Sequence, residues 1–466
     1  MQKFDAGQTV RACRVMGFQV CGLLLGVCAS SVSMAASQSD SAGFIEDSHL
    51  DLLNRNFYFY RDLRNGARNN LGANARKPVS ERNGYRSEWA QGLMSYYRSG
   101  FTQGTVGFGI DAFAMVGIKL DGGGGTTGTS LLPWGAEGDP EREFSKLGGA
   151  VKMQVSKTVL KYGDQIPNVP VFSMNQVRLL PSTATGFSLI SDEFNKLNMQ
   201  AGHFTAVSST DSSHNDGEIT TDYTVLPAAR SYDYLGGSYK VNDRLSFILY
   251  GDQLKDIWHQ YYGNATYLMP LTATTSLSLA FNIYDTHDYG AAKGGEIDNT
   301  SWSFMTGYSF GAHKISVGYQ KIDGDEPLDW VAFERTQSGA VYLSNAGNVV
   351  PFSEPNEKSW QLRYDLNMAP YGIPGLTFMT RYIRGDGMDN SHSNNPFYRR
   401  IGNYDPDPDA NKEWERNIEA AYVVQSGKAK NLSFRVRQST HRATTGTRWP
   451  DHDEVRVIIE YPMSIF

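Results

Sequence analysis

Residues 431–466, NLSFRVRQSTHRATTGTRWPDHDEVRVIIEYPMSIF, decide the fold. In the first half Leu432, Phe434 and Val436 fall on one side, and Ser433, Arg435 and Arg437 on the other. A polar turn follows. Then Val455, Val457, Ile459 and Tyr461 alternate with Glu454, Arg456 and Glu460. Successive side chains of a strand point to opposite faces. The stretch therefore reads as an antiparallel strand pair with one apolar and one charged face.

The same alternation recurs upstream. In residues 106–120 one face carries Val106, Phe108, Ile110, Ala112, Ala114, Val116, Ile118 and Leu120, and the other Gly107, Gly109, Asp111, Phe113, Met115, Gly117 and Lys119. Val151 and Met153 oppose Lys152 and Gln154, Leu279 and Phe281 oppose Ser278 and Asn282, and Trp360 and Leu362 oppose Gln361 and Arg363. Phe378 and Tyr382 oppose Met379 and Arg381, and Ile418 and Ala420 oppose Glu419 and Ala421. Gly, Asp, Asn and Pro clusters separate the runs, at 121–128, 290–295, 386–395 and 404–411 among others. Aromatic residues collect near run ends: Trp89, Tyr97, Trp302, Tyr308, Trp360 and Tyr382.

The N-terminus indicates the compartment. Lys3, Arg11 and Arg14 precede an apolar run from 15 to 28, and small residues follow at Ser33 and Ala35. Residues 1–35 read as a secretory signal peptide cleaved near Ala35 or Ala36. The rival reading lipidates Cys28, for which Val27 is a poor preceding residue. All three cysteines, Cys13, Cys21 and Cys28, lie in this leader. The mature chain therefore has no disulfide, thiol nucleophile or cysteine metal site. Loss of three basic residues and Asp5 takes the formal charge from −6 to −8, which argues against nucleic acid as a partner.

No later stretch is apolar enough for a membrane helix, but barrel strands need only every second residue apolar. A soluble propeller or sandwich would need a second sheet over each apolar face, and no propeller-like period is present. The expectation is an all-β protein, with residues 36–466 forming a single transmembrane antiparallel β-barrel domain. At roughly 24 residues per strand and connection, the mature chain makes about eighteen strands around an aqueous lumen. Terminal Phe466, aromatic after an alternating strand, fits an outer-membrane barrel.

Several longer stretches carry a family resemblance. GFIEDSHLDLLNRNFYFYRD (43–62), SGFTQGTVGFGIDAF (99–113), RLLPSTATGF (178–187), NIYDTHDYG (282–290), EKSWQLRYDLN (357–367), YGIPGLTFMTRYI (371–383) and NLSFRVRQ (431–438) resemble the OprD family of substrate-specific outer-membrane porins. The resemblance covers essentially the whole mature chain. It implies an outer-membrane channel of eighteen strands, narrowed by inward-folded loops. Such channels pass small water-soluble solutes bearing a carboxylate, such as amino acids, small peptides or aromatic acids, as a monomer or loose homotrimer in outer-membrane lipid. Residues 162–187, with Tyr162, Asp164 and Arg178, match the family's constricting loop, and residues 324–330 match the start of another.

The resemblance also implies a row of basic residues guiding the carboxylate. Arg435, Arg437 and Arg456 match ladder positions, and their alternation independently turns them inward, as it does Arg363 and Arg381. Ala421 and Gln154 stand where arginine- and lysine-type channels have basic residues, so the ladder is thinner here. An inward arginine offers a carboxylate a planar fork of donors and a charge that does not titrate. The plainer role for Arg435 and Arg437 is pairing with lumen carboxylates such as Glu419 and Glu460. Arg178 has a plainer role too, as a salt bridge holding the loop to the wall. Asp325, Glu326 and Asp329 suggest an acidic vestibule receiving an amine, or a solvated loop. His203, Ser208 and Asp211 are near in sequence, but no nucleophile, metal or phosphate motif accompanies them. An enzyme, a cofactor and a metal are not expected.

Overall fold

The computed structural model describes residues 37–223, 228–334 and 337–466; the expected leader lies outside them. Eighteen strands among the described residues form one closed antiparallel sheet. They are β1 His49–Leu63, β2 Tyr85–Arg98, β3 Val106–Asp121, β4 Glu143–Val155, β5 Thr158–Gln165, β6 Thr183–Phe194, β7 Leu197–Ser208, β8 Tyr232–Lys240 and β9 Leu245–Leu254. There follow β10 Trp258–Pro270, β11 Thr275–Asp288, β12 Asp298–Phe310, β13 His313–Asp323, β14 Lys358–Asn367, β15 Leu376–Asp386, β16 Lys412–Val423, β17 Ser433–Ala443 and β18 His452–Ser464. Each pairs with its sequence neighbours. The seam is β1 against β18, in register from Asp51↔Ser464 to Leu63↔His452. Closure leaves no open edge, which hydrocarbon demands because it offers no partner to an unpaired backbone group.

The strand phase is the one the alternation predicts. Along β3 the outward residues are exposed, among them Phe108 at 55% and Val116 at 36%, while Phe113 and Met115 are buried. Phe434 and Val436 are exposed on the outside of β17. Trp89, Tyr308 and Trp360 also face outward, at the level of an aromatic girdle.

Connections at the rim that includes the start of β1 are mostly short. Residues 156–157 and 195–196 are two-residue turns, with Ser156 and Lys196 at positive φ of 52° and 67°. The turn after β8 is held by Asn242, whose Oδ1 accepts from the amides of Arg244 (2.8 Å) and Leu245 (3.0 Å). Most connections at the opposite rim are long, among them 64–84, 122–142, 166–182, 209–231, 324–357 and 387–411. This asymmetry is that of outer-membrane barrels, with long loops facing outside the cell.

The apolar cores lie inside the barrel. Leu179 and Leu180 of the 166–182 loop are fully buried with Leu131 and Leu132 against Phe57, Phe59, Phe113, Met115 and Ile458 of the wall. Val169, Val171 and Phe172 of the same loop pack against Phe204, Tyr232 and Tyr234 on the β7–β8 wall. Both ends of the loop are thus anchored, and residues 174–178 cross the lumen between them.

The lipid face gives a direct test. Val116→Arg and Phe434→Arg each place a charge among outward apolar residues, and each should cost about 2–4 kcal/mol near mid-membrane. Folding equilibria in liposomes measure this; undisturbed folding of both variants would remove the strand phase.

Candidate solute constriction

The crossing loop is tied to the wall by a residue the sequence reading passed over. Arg55 of β1 donates from Nη1 to the carbonyls of Arg178 (2.5 Å), Leu179 (3.2 Å) and Gln176 (3.4 Å), and from Nε to Glu460 (2.7 Å). Leu53, Arg55, Phe57 and Phe59 alternate along β1 as a lumen face, a signal present in the sequence.

Beside this tether, Arg55, Gln176, Val177, Arg178, Arg435 and Arg437 border a recess floored by Phe57 and Ile458. Its cavity volume is about 20 Å³, enough for one water-sized group rather than a whole solute. Glu419 of β16 takes both ladder arginines of β17: Arg437 hydrogen-bonds it through Nε, and Arg435 Nε stands 3.6 Å away. Four guanidiniums therefore border the recess against the carboxylates of Glu419 and Glu460. Two buried donors, Nε of Arg178 and Nε of Arg435, have no hydrogen-bond partner among the described residues. Phe59 lies beneath three cations, with Arg456, Arg178 and Arg61 at 4.5, 5.5 and 5.6 Å from its ring centre. Such stacking helps hold like charges together in a low-dielectric wall.

The other expected ladder residues are more committed. Arg363 is forked onto Asp365 at 2.8 and 2.7 Å. Arg381 donates to Asn417 (2.5 Å), the Ala346 carbonyl (3.1 Å) and Asn348 (3.0 Å). Arg456 donates to Glu454 and to the Asn348 carbonyl (3.2 Å). Glu415 accepts from the amides of Asn348 (2.6 Å) and Val350 (2.9 Å). Together these groups pin residues 346–350 of the 324–357 loop to the inner wall, giving a second inward fold. Gln154 is buried in the lumen wall, on the periplasmic side, and Lys152 and Lys161 nearby share Asp111 at 2.7 and 2.5 Å.

These loops, this strand count and this closure meet a known group. A family profile described as outer membrane porin, OprD family, matches residues 42–465. This chain belongs to the OprD family. Porin D of Pseudomonas aeruginosa is 46% identical over 455 residues, covering 95% of this chain and 98% of that protein. The porin-like protein GalP of Pseudomonas putida is 33% identical, over 93% of this chain and 97% of its own. The crystal structure of P. aeruginosa OprD superposes with a TM-score of 0.78 at 44% identity, covering 93% of this chain and 99% of that one. P. aeruginosa OpdK, solved with vanillate, gives a TM-score of 0.75 at 31% identity, covering 91% of this chain and 100% of that one. The protein is therefore an outer-membrane porin of Gram-negative type, and its relatives are channels rather than enzymes.

Two expectations about this porin's loops need correction. Tyr162 and Asp164 lie on β5, not in the constricting loop. Tyr162 is 51% exposed on the lipid side and packs at a tilt against Phe187, ring centres 4.4 Å apart, because β5 continues its alternation past Lys161. Asp164 accepts from Thr185 (2.5 Å) and Asn215 (3.2 Å) at the strand end. Asp329 faces no open vestibule. It is 4% exposed and accepts from the amides of Trp330 (2.8 Å), Asp222 (3.0 Å) and Tyr223 (3.1 Å) and from the Tyr398 hydroxyl (2.9 Å). It thereby joins three outer loops. Asp325 accepts from Asn356 at 3.1 Å, and Glu326 from Ser393 at 2.7 Å. His203 turns outward to Asp233 (2.6 Å), while Ser208 meets Lys146 inside at 3.0 Å, so these two do not converge.

Two outcomes follow. Arg55→Ala removes the tether of residues 176–179, and single-channel conductance should rise; unchanged conductance would mean the loop holds its place without Arg55. Burial, with Asp222 alongside, pushes the Asp329 carboxyl up to about 6. An opened loop would return it to about 3.9. The closed loops therefore bind the extra proton, and their stability rises as pH falls through 6 towards 4, by on the order of 2 kcal/mol. Hydrogen exchange in residues 324–357, corrected for intrinsic rate, should be slower at pH 4.5 than at pH 7; equal or faster corrected exchange would contradict this.

Proposed function

We propose that this porin is a selective channel for small water-soluble solutes bearing a carboxylate, such as amino acids, small peptides or aromatic acids. The observation that carries the reading is the recess bordered by the four guanidiniums of Arg55, Arg178, Arg435 and Arg437. A carboxylate passing residues 174–178 meets a net positive wall, four guanidiniums against the carboxylates of Glu419 and Glu460. Each contact is weak, which a channel requires so that solute leaves as readily as it enters. OpdK, solved with the aromatic carboxylate vanillate, lends support from within the family.

One observation favours an unselective porin instead. Glu419 already faces both Arg435 and Arg437, so these arginines would then serve as wall structure.

The double variant Arg435→Ala/Arg437→Ala separates the readings. Partly screened contacts contribute about 0.5–1 kcal/mol each, so carboxylate flux should fall several-fold. Glu419, left without these partners, should shift selectivity towards cations, most at low salt where screening is weakest. Liposome swelling with amino acids, dipeptides, aromatic acids and a neutral sugar, together with bilayer reversal potentials, measures both effects. Parental selectivity and carboxylate flux in the double variant would overturn the carboxylate reading.

A further inference from the structure

On the outside of the barrel, strands β14–β16 carry a compact basic and aromatic patch at the long-loop rim. The strand registers place its residues in rows. Lys358, Asp386 and Lys412 lie side by side; Trp360, Arg384 and Trp414 form the next row, and Tyr382 and Arg416 the third. Inward neighbours such as Ser359, Gln361, Ile383 and Glu415 are buried, so the patch residues face outward. Lys358, Lys412 and Arg416 are exposed and Arg384 is half-buried.

The side chains of Lys358, Arg384 and Lys412 make no hydrogen bond or ion pair among the described residues. Arg416 has one long contact, 3.4 Å to Gln438. The neighbouring outward cations are committed: Lys321 lies 3.8 Å from Asp323 and 3.4 Å from the Asn356 carbonyl, and Arg442 lies 3.0 Å from Asp453. Asp386 is the one carboxylate within the rows, against four cations. Trp360, Tyr382 and Trp414 pack in sequence, the first pair tilted at 5.5 Å and the second stacked at 5.8 Å between ring centres. Tryptophan and tyrosine on a barrel exterior mark the headgroup level. The arc over β7–β12 at the same rim has the opposite character: His203 faces Asp233 at 2.6 Å, and His287 lies 3.1 Å from Asp285 and 3.4 Å from Asp298.

Cations without a protein partner at the headgroup level are complementary in charge to lipid phosphates. We propose that Lys358, Arg384, Lys412 and Arg416 bind the phosphate groups of a phosphorylated glycolipid headgroup in the outer leaflet, with Trp360, Tyr382 and Trp414 supporting its sugar and acyl shoulder. Arginine forks suit phosphate oxygens, and lysines add point charge at the edge. Lys412 and Arg416, four residues apart on one strand, are separated by about 13 Å, long enough to engage more than one phosphate of a headgroup.

The test uses the whole porin in zwitterionic micelles. Its probes are a bis-phosphorylated acylated glucosamine disaccharide, the same lipid after dephosphorylation, and inorganic phosphate alone. Native mass spectrometry or titration fluorescence reads binding. The parent should bind the phosphorylated lipid at least tenfold more tightly than either other probe. Arg384→Gln/Arg416→Gln should lose about tenfold of that affinity, and His203→Gln on the opposite arc should lose none. Single-channel conductance should be parental in both, because the residues lie outside the lumen. Should Arg384→Gln/Arg416→Gln fold poorly, Lys358→Gln/Lys412→Gln at the rim is the second variant, expected to lose several-fold. Equal binding of dephosphorylated lipid, equal binding of inorganic phosphate, or undiminished affinity in a folded variant would overturn the assignment.

Discussion

A strand in hydrocarbon has no solvent to satisfy its amides, and this single constraint organises the molecule. Each backbone donor and acceptor of the sheet must find a neighbour, so the sheet closes at β1 and β18. Closure gives every strand one face to lipid and one to the lumen. The lipid face must be apolar, which leaves the polar half of each alternation for the inside. The inside is nevertheless not purely polar. Phe57, Phe59, Met115 and Ile458 point inward because Leu131, Leu132, Leu179 and Leu180 of the loops cover them. The barrel supplies rigidity, and the loops supply the buried cores that hold the pore's shape.

The arginines of the lumen divide by what their forks already hold. Arg55, Arg381 and Arg456 bind loop carbonyls, so their role is first to keep backbone in place. Leaving such carbonyls unpaired inside the protein would be costly, and a guanidinium reaches several at once. Arg178 and Arg435 each keep an Nε with no hydrogen bond among the described residues, although Arg435 Nε stands 3.6 Å from Glu419. The distinction is one of residual valence rather than charge, since every one of these side chains carries the same cation.

The period of the strands was legible in the sequence because lipid enforces it. Val116 and Phe434 could be assigned outward from neighbours alone, and Arg435, Arg437 and Arg456 inward by the same count. Loop destinations carried no such signal. Asp329 lies in a run of charges that reads as solvated, yet backbone amides from two loops and Tyr398 from a third converge on it. Of these partners, Asp222, Tyr223 and Tyr398 are about 70 to 110 residues away in sequence. Tyr162 was misplaced because a resemblance marks a segment without marking where the strand stops. Arg55 could have been found: the apolar residues around it on β1 form a continuous face, and a lone arginine within that face needs a buried partner.

The seam between β1 and β18 joins residues some 400 positions apart in the chain. Every other neighbouring pair of strands is linked by a single connection, so it can zip as soon as both members exist. The seam pair must wait for the whole sheet to curl before its partners meet, and loop-closure entropy makes that encounter slow. Until then both edges are open templates for pairing with another chain. The time spent with an open seam therefore sets the hazard of misassembly. A change in the last strand should alter how fast the barrel matures well before it alters what the finished channel admits.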